Sequence, residues 1–314
     1  MTLPPEDLIP EPGERGRVTD DLPGMLAATV AAWDDFLAAL SSVDMSAPSR
    51  KEGRTAARTL VVLGSWPEGR PLANLRRDAL AGTTIAEHLD SIEERVITAH
   101  VDDPRAELMA SLRRARDDIA QWASSPDVAR ESLLPVAGPL GIVPLGTLVA
   151  ATAYQCAVAA RDLAPAGVTT GPDLLAQGLT ALIDTVGAVA SQQRDPLALT
   201  AITPQVSVGT GARDGDWRTT WVDSPDGPSV MCDAGLLLDI ASGRASAPAA
   251  YARGEIRAQD LPGLLVVAQV LARSPGLPGT EGLRTALAAY ETSAAAAKAV
   301  GDAVGSAWKK LRGR

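Results

Sequence analysis

Histidine is nearly missing from this chain: only His88 and His100 stand among its 314 residues. A transition-metal centre built on imidazole typically needs about three of them converging on one point, with a position left open for water or substrate. Twelve residues apart, these two would be rotated about 120° from each other on a continuous helix. A partly exposed structural role is the reading for both, ahead of a ligand or acid–base role. No Gly-x-Ser-x-Gly elbow occurs, and neither histidine has a neighbouring Ser or Cys that suggests a triad. Cysteine is equally sparse. Cys156 and Cys232 are too few and too far apart for a disulfide framework or a zinc knuckle, and Cys156, in a largely apolar helix, reads as a buried small residue. Two reduced thiols fit a cytoplasmic protein.

Aromatic residues make up 3% of the chain while apolar residues reach 46%, so its cores must be assembled from Ala, Leu, Val and a few Trp, which favours closely approaching helices. Positive charge is in deficit, with a net charge of -9 and a pI near 4.9. Nucleic acid is not an expected partner, because phosphate binding requires a clustered basic surface. The small cluster Lys309, Lys310, Arg312 and Arg314 reads as a solvated helix end. No stretch reaches roughly 18 uninterrupted apolar residues, and no basic segment followed by an apolar run opens the chain. No transmembrane segment is expected, and oligomeric state is left open.

The length allows two globular units, and an α+β fold class is expected. Residues 1–21, with four prolines and little apolar periodicity, read as an irregular arm. Leu26, Val30, Trp33, Leu37 and Leu40 alternate spacings of four and three and mark a first helix ending near Asp44. Residues 55–65 form a short apolar segment stopped by Trp66-Pro67. Ile85, Leu89, Ile92 and Val96 share the face of a further helix. Leu108, Leu112, Ile119 and Trp122 share that of another, entered at Asp103-Pro104. Residues 135–146 are broken by prolines and glycines, and a helix follows over 144–163. A four- or five-helix bundle over 22–165 results.

Beyond it, a helix over 172–191 leads to strand-like segments at 205–209, 217–222 and 229–232. Asp214-Gly215 and Asp226-Gly227 mark tight turns, and the pattern reads as an antiparallel meander. Short helices over 236–241, 247–252 and 261–271, an edge strand at 255–258, and an Ala-rich helix over 281–312 complete the expectation. Gly209-Thr210-Gly211 lies among strands rather than between a strand and a helix, which excludes a phosphate cradle.

The first half carries Leu40-Ser41-Ser42-Val43-Asp44, then Gly53-Arg54-Thr55 leading into Leu60-Val61-Val62-Leu63-Gly64-Ser65-Trp66, and finally Arg161-Asp162-Leu163. These residues resemble the DinB-like helical bundle in its mycothiol-dependent maleylpyruvate isomerase form. The resemblance implies three metal-binding histidines at positions occupied here by Val62, Gln155 and Ala159. None of them is histidine, which leaves the implied metal site degenerate. Asp162 shares a helix face with Gln155 and Ala159 and is a candidate polar site residue; its ordinary reading is the partner of an N–H group or an arginine. Carboxylates at Asp34, Asp35, Glu87, Glu93 or Glu94 could supply oxygen ligands instead, but their spacing selects no site.

The second half, over about 172–275, carries Gly215-Asp216-Trp217, Ala241-Ser242-Gly243-Arg244 and Ala249-Ala250-Tyr251-Ala252-Arg253-Gly254. It resembles the sterol carrier protein type 2 fold, which implies an apolar tunnel between sheet and helices. Candidate lining residues are Leu236, Leu237, Leu238, Ile240, Leu264, Leu265, Val267 and Val270, for which core packing is the ordinary role. The function expected first is a catalytically degenerate member of this architecture, without a cofactor, that binds an apolar or thiol-bearing small molecule or lipid in the second domain or in the cleft between domains. The alternatives are a mycothiol-dependent isomerase or transferase that works without the histidine triad, which would imply an actinobacterial source, and a helical protein-interaction module.

Overall fold

A computed structural model describes residues 5–83, 89–138, 141–194, 196–224 and 227–272. His88, Glu87, Ile85, the second Asp-Gly turn and the 281–312 helix fall outside them. The fold is α+β, and one apolar cluster runs through both halves of the chain.

Helix α1 is a single turn, Arg17–Asp20, and α2 spans Leu22–Ala39. The Asp21 side chain caps α2 by accepting from the Gly24 N–H at 3.0 Å. Its inward face carries Met25, Leu26, Thr29, Ala32, Trp33 and Phe36, the three-to-four spacing of a core-facing helix. Helices α3 (Ala56–Val61), α4 (Leu72–Leu80), α5 (Leu89–His100), α6 (Arg105–Ala123) and the short α7 (Val128–Glu131) follow. Ile92 and Val96, and Leu108, Leu112, Ile119 and Trp122, are buried as their spacing predicts.

The 135–146 stretch, expected only as a break, forms a hairpin of β1 (Pro135–Gly138) and β2 (Gly141–Pro144). Pro135 and Pro144 lie opposite each other at its open end, where a missing N–H costs no interior ladder bond.

Helices α8 (Leu145–Asp162) and α9 (Pro172–Gln193) form the spine of the molecule. They approach so closely that a Cβ on Gly178 would stand 2.5 Å from the Ala157 Cβ; small residues buy this proximity at the seam. Helix α9 is long and apolar enough to cross a membrane, with a mean hydropathy of 1.4 over an 18-residue stretch, but 89% of that stretch is buried in the protein. It carries α8 on one side and a five-stranded sheet on the other, which is why it is apolar nearly all round.

The sheet has the order β5-β4-β3-β6-β7, with β3 at Leu197–Ile202, β4 at Ser207–Arg213, β5 at Asp216–Trp221, β6 at Ser229–Met231 and β7 at Arg257–Gln259. Strands β3, β4 and β5 form an antiparallel meander, and β4 turns into β5 at Asp214-Gly215, where both residues take positive φ (56° and 96°). The meander does not continue as the sequence suggests: β6 pairs with β3 in parallel, so the chain crosses over after β5. Helices α10 (Ala234–Ala241), α11 (Ala247–Ala252) and α12 (Leu261–Ala272) complete the described residues.

The glycine-rich stretch lies within β4 and receives the amino-terminal arm. Leu8, 1% exposed, packs over Gly209 and Gly211, and a Cβ on Gly211 would stand 2.0 Å from the Leu8 carbonyl oxygen. The Gly16 N–H donates to the Trp217 carbonyl at 2.7 Å, and Arg15 pairs with Asp216.

Candidate functional site

Helix α8 presents Leu148, Thr152, Gln155, Ala159 and Asp162 at successive spacings of four and three, which puts them along one face. That face borders a cavity of about 330 Å³. Val62 and Leu63 at the end of α3, Leu72 and Leu75 of α4, Ile92 and Glu93 of α5, and Trp33 of α2 supply other walls, while Ser242 and Arg244 close it from the turn after α10. The three positions where the sequence lacks histidine, Val62, Gln155 and Ala159, therefore meet at one cavity, and Asp162 joins them there.

These residues do not fit a metal. Val62 and Ala159 carry only alkyl carbon, and Gln155 offers a neutral amide. The remaining cavity carboxylates are already engaged by cations. Glu93 accepts from Arg54 at 2.5 Å and stands 3.6 Å from the Lys51 ammonium. Asp162, 3% exposed, accepts two bonds from Arg244 at 2.9 and 2.5 Å. Among the described residues no group of three or more His, Cys, Asp or Glu side chains is gathered for an ion. Asp34 pairs with Arg116 at 2.9 Å and Glu94 is exposed. Burial and the neighbouring Asp173 and Asp34 raise the carboxyl pKa of Asp35.

A second ion-pair centre holds the cavity rim. Asp239, a charge inside the apolar run of α10, accepts from Arg161 at 2.8 and 2.6 Å and from Arg50 at 3.0 and 2.8 Å. Burial alone would push its carboxyl up, but the two forked guanidiniums outweigh burial and hold it below the usual range. The Arg50 N–H also donates to the Asp162 carbonyl at 2.8 Å. Loop 41–55, the end of α8 and the α10 turn are thereby tied together. Sequence reasoning found Asp162 but missed Arg244 and Asp239; the available signal was a carboxylate inside an apolar helix, which must find a cation.

One polar group facing these residues lacks a partner. The Tyr154 hydroxyl is buried and makes no hydrogen bond within the described structure. Burial, with Arg244 acting against it, holds the phenol protonated. Its ring lines the same cavity.

The other candidates lie elsewhere. His100 stacks on Trp66 at 3.9 Å and bonds to Asp103 at 2.8 Å and Glu68 at 3.0 Å, away from the cavity walls. Leu238, Val267 and Val270 are buried in the core, and Leu237 and Leu264 pack against it. Leu236 and Ile240 are partly buried, and the Leu265 side chain is outside what is described. None of the seven described side chains lines this cavity or a second one of about 90 Å³.

No protein-family model and no curated protein sequence matches the chain. Among solved structures, a crystal structure of the mycothiol-dependent maleylpyruvate isomerase is similar with a TM-score of 0.50 and 17% identity, over 78% of this chain and 95% of that one. A histidine-to-alanine mutant of that isomerase gives a TM-score of 0.49 and 16% identity over the same shares. At such identity the likeness is one of fold.

Proposed function

We propose that the chain is a small-molecule-binding protein on an isomerase-like fold, with its ligand in the cavity beside α8 and without metal chemistry. The observation that carries this reading is the meeting of Val62, Gln155 and Ala159 at a cavity that persists although two of them offer only alkyl carbon and the third a neutral amide in place of imidazole. Its walls favour a ligand with an apolar body, which gains about 25 cal/mol per Å² buried, and with an acceptor or anionic end. Tyr154 offers an unused donor, and Arg244 a guanidinium with one carboxylate partner.

A mycothiol-dependent isomerase or transferase without the histidine triad is the second reading. It requires a group that stabilises a thiolate, and Lys51, Arg54 and Arg244 line the cavity already paired with Glu93 or Asp162.

The test uses anilinonaphthalenesulfonate, an apolar anion, titrated against the full chain and followed by fluorescence. Saturable binding that is lost when Ala159→Phe fills the cavity supports the proposal. Binding unchanged by Ala159→Phe in a folded variant places the probe elsewhere and overturns it.

A further inference from the structure

The second cavity, of about 90 Å³, lies on the other side of α8, between α2, α8 and α9, and has no place in the function above. Its wall is mostly Met25 and alanines, among them Ala150, Ala153 and Ala176, with Trp221 beside them and 62% exposed. The two buried side-chain atoms on its wall that lack a partner are both acceptors. Asp184 is 2% exposed, and its Oδ1 accepts from Trp217 Nε1 at 3.1 Å and from the Arg17 N–H at 3.3 Å. Its Oδ2 has no partner within the described structure, and neither has the buried Oε1 of Gln177. Thr29 and Thr180 each spend their one hydroxyl proton inside their own helix, on the carbonyls of Met25 at 2.8 Å and Ala176 at 2.9 Å, which leaves only lone pairs to offer. The cation on the wall, Arg17, pairs with Asp21 at 3.7 Å and stands 6.0 Å from the Trp221 ring, and the bond it gives Asp184 comes from its backbone N–H.

A buried carboxylate oxygen without a donor is costly, so this lining calls for a guest with several N–H donors, a short alkyl part and a positive charge. We infer that this cavity binds a small primary ammonium ion, with Asp184 as its anionic anchor, Gln177 and the two threonine hydroxyls as further acceptors, and the Met25 and alanine wall against its carbon. Burial raises the Asp184 carboxyl pKa, against the lowering effect of Thr219, Trp217 and Arg17. The volume admits several waters or a guest of a few heavy atoms, and the exposed indole at the cavity suits an entering cation.

The probe is methylammonium chloride, titrated calorimetrically into the full chain against sodium chloride at equal ionic strength. Saturable binding of methylammonium but not sodium is expected, weakened at least about tenfold, the loss of a charge-assisted bond, in Asp184→Asn. Asparagine keeps the acceptor for Trp217 and Arg17. Ala176→Leu, which fills the cavity and leaves the carboxylate in place, should abolish binding and decides the matter should Asp184→Asn not fold. No difference between methylammonium and sodium, or binding that survives Ala176→Leu, overturns the assignment and leaves the cavity to water.

Discussion

Around α8 the protein leaves a cavity of about 330 Å³ beside a charged rim, whereas on α10 and α12 three of the candidate lining residues are packed into the core: Leu238 is 0% exposed, Val270 1% and Val267 5%. Both regions border the same spine of α8 and α9. Side chains of the packed region stabilise the fold by filling it. Those of the hollow region, Val62 and Ala159 among them, leave space that a folded chain does not need for stability. Apolar composition is thus no guide to where the chain leaves a cavity, since the richer apolar run, Leu236–Ile240, borders neither of the two described above.

The contrast can be broken most forcefully from the packed side. Leu238→Ala should cost about 3 kcal/mol in urea unfolding, the usual price of an unfilled core cavity. Asp239→Asn, at the rim between the two regions, should cost about 2 kcal/mol, because Arg50 and Arg161 lose a shared charged partner while staying part-exposed at 31% and 23%. The same group sets an acid limit. Its folded pKa lies below 3.8, so its contribution is complete above the unfolded value and is lost as pH falls through the folded one. Wild type should therefore lose stability below about pH 4 faster than Asp239→Asn. Val62→Ala, on the hollow side, should cost less than about 1 kcal/mol, since it enlarges a space already open. A cost equal to that of Leu238→Ala would erase the comparison.

The smallest effect concerns His100. Burial disfavours its charge, but bonds to Glu68 and Asp103 outweigh burial and raise its pKa above 6.5. Its stabilisation is full below that value and is lost as pH rises through the folded pKa. Stability should decline slightly from pH 6 to pH 8 in wild type and stay level in His100→Gln.

Much of the helical half could be read from periodicity, because its helices each show one buried face. Helix α4 was missed although Leu72, Leu75 and Ala79 keep that period, its start obscured by Pro67 and Pro71. Strand β3 escaped notice for a different reason. Leu197–Ile202 is made largely of Leu and Ala, good helix formers, and as the central strand with burial on both faces it shows no polar alternation. The parallel pairing of β6 to β3 depends on a crossover that no local signal encodes. The positions around the cavity, by contrast, were legible: Gln155, Ala159 and Asp162 share a helix face, and Val62 was matched by its context. Arg244 and Asp239 were not, because their partners lie 82 and 78 residues away in the chain.

The central claim is that the cavity beside α8 holds a small molecule without a metal. Native mass spectrometry of the gently purified full chain, paired with elemental analysis for zinc, nickel and iron, tests it most directly. Metal-free protein carrying an organic adduct that disappears in Ala159→Phe is the predicted result, and stoichiometric metal lost in the same variant would contradict it.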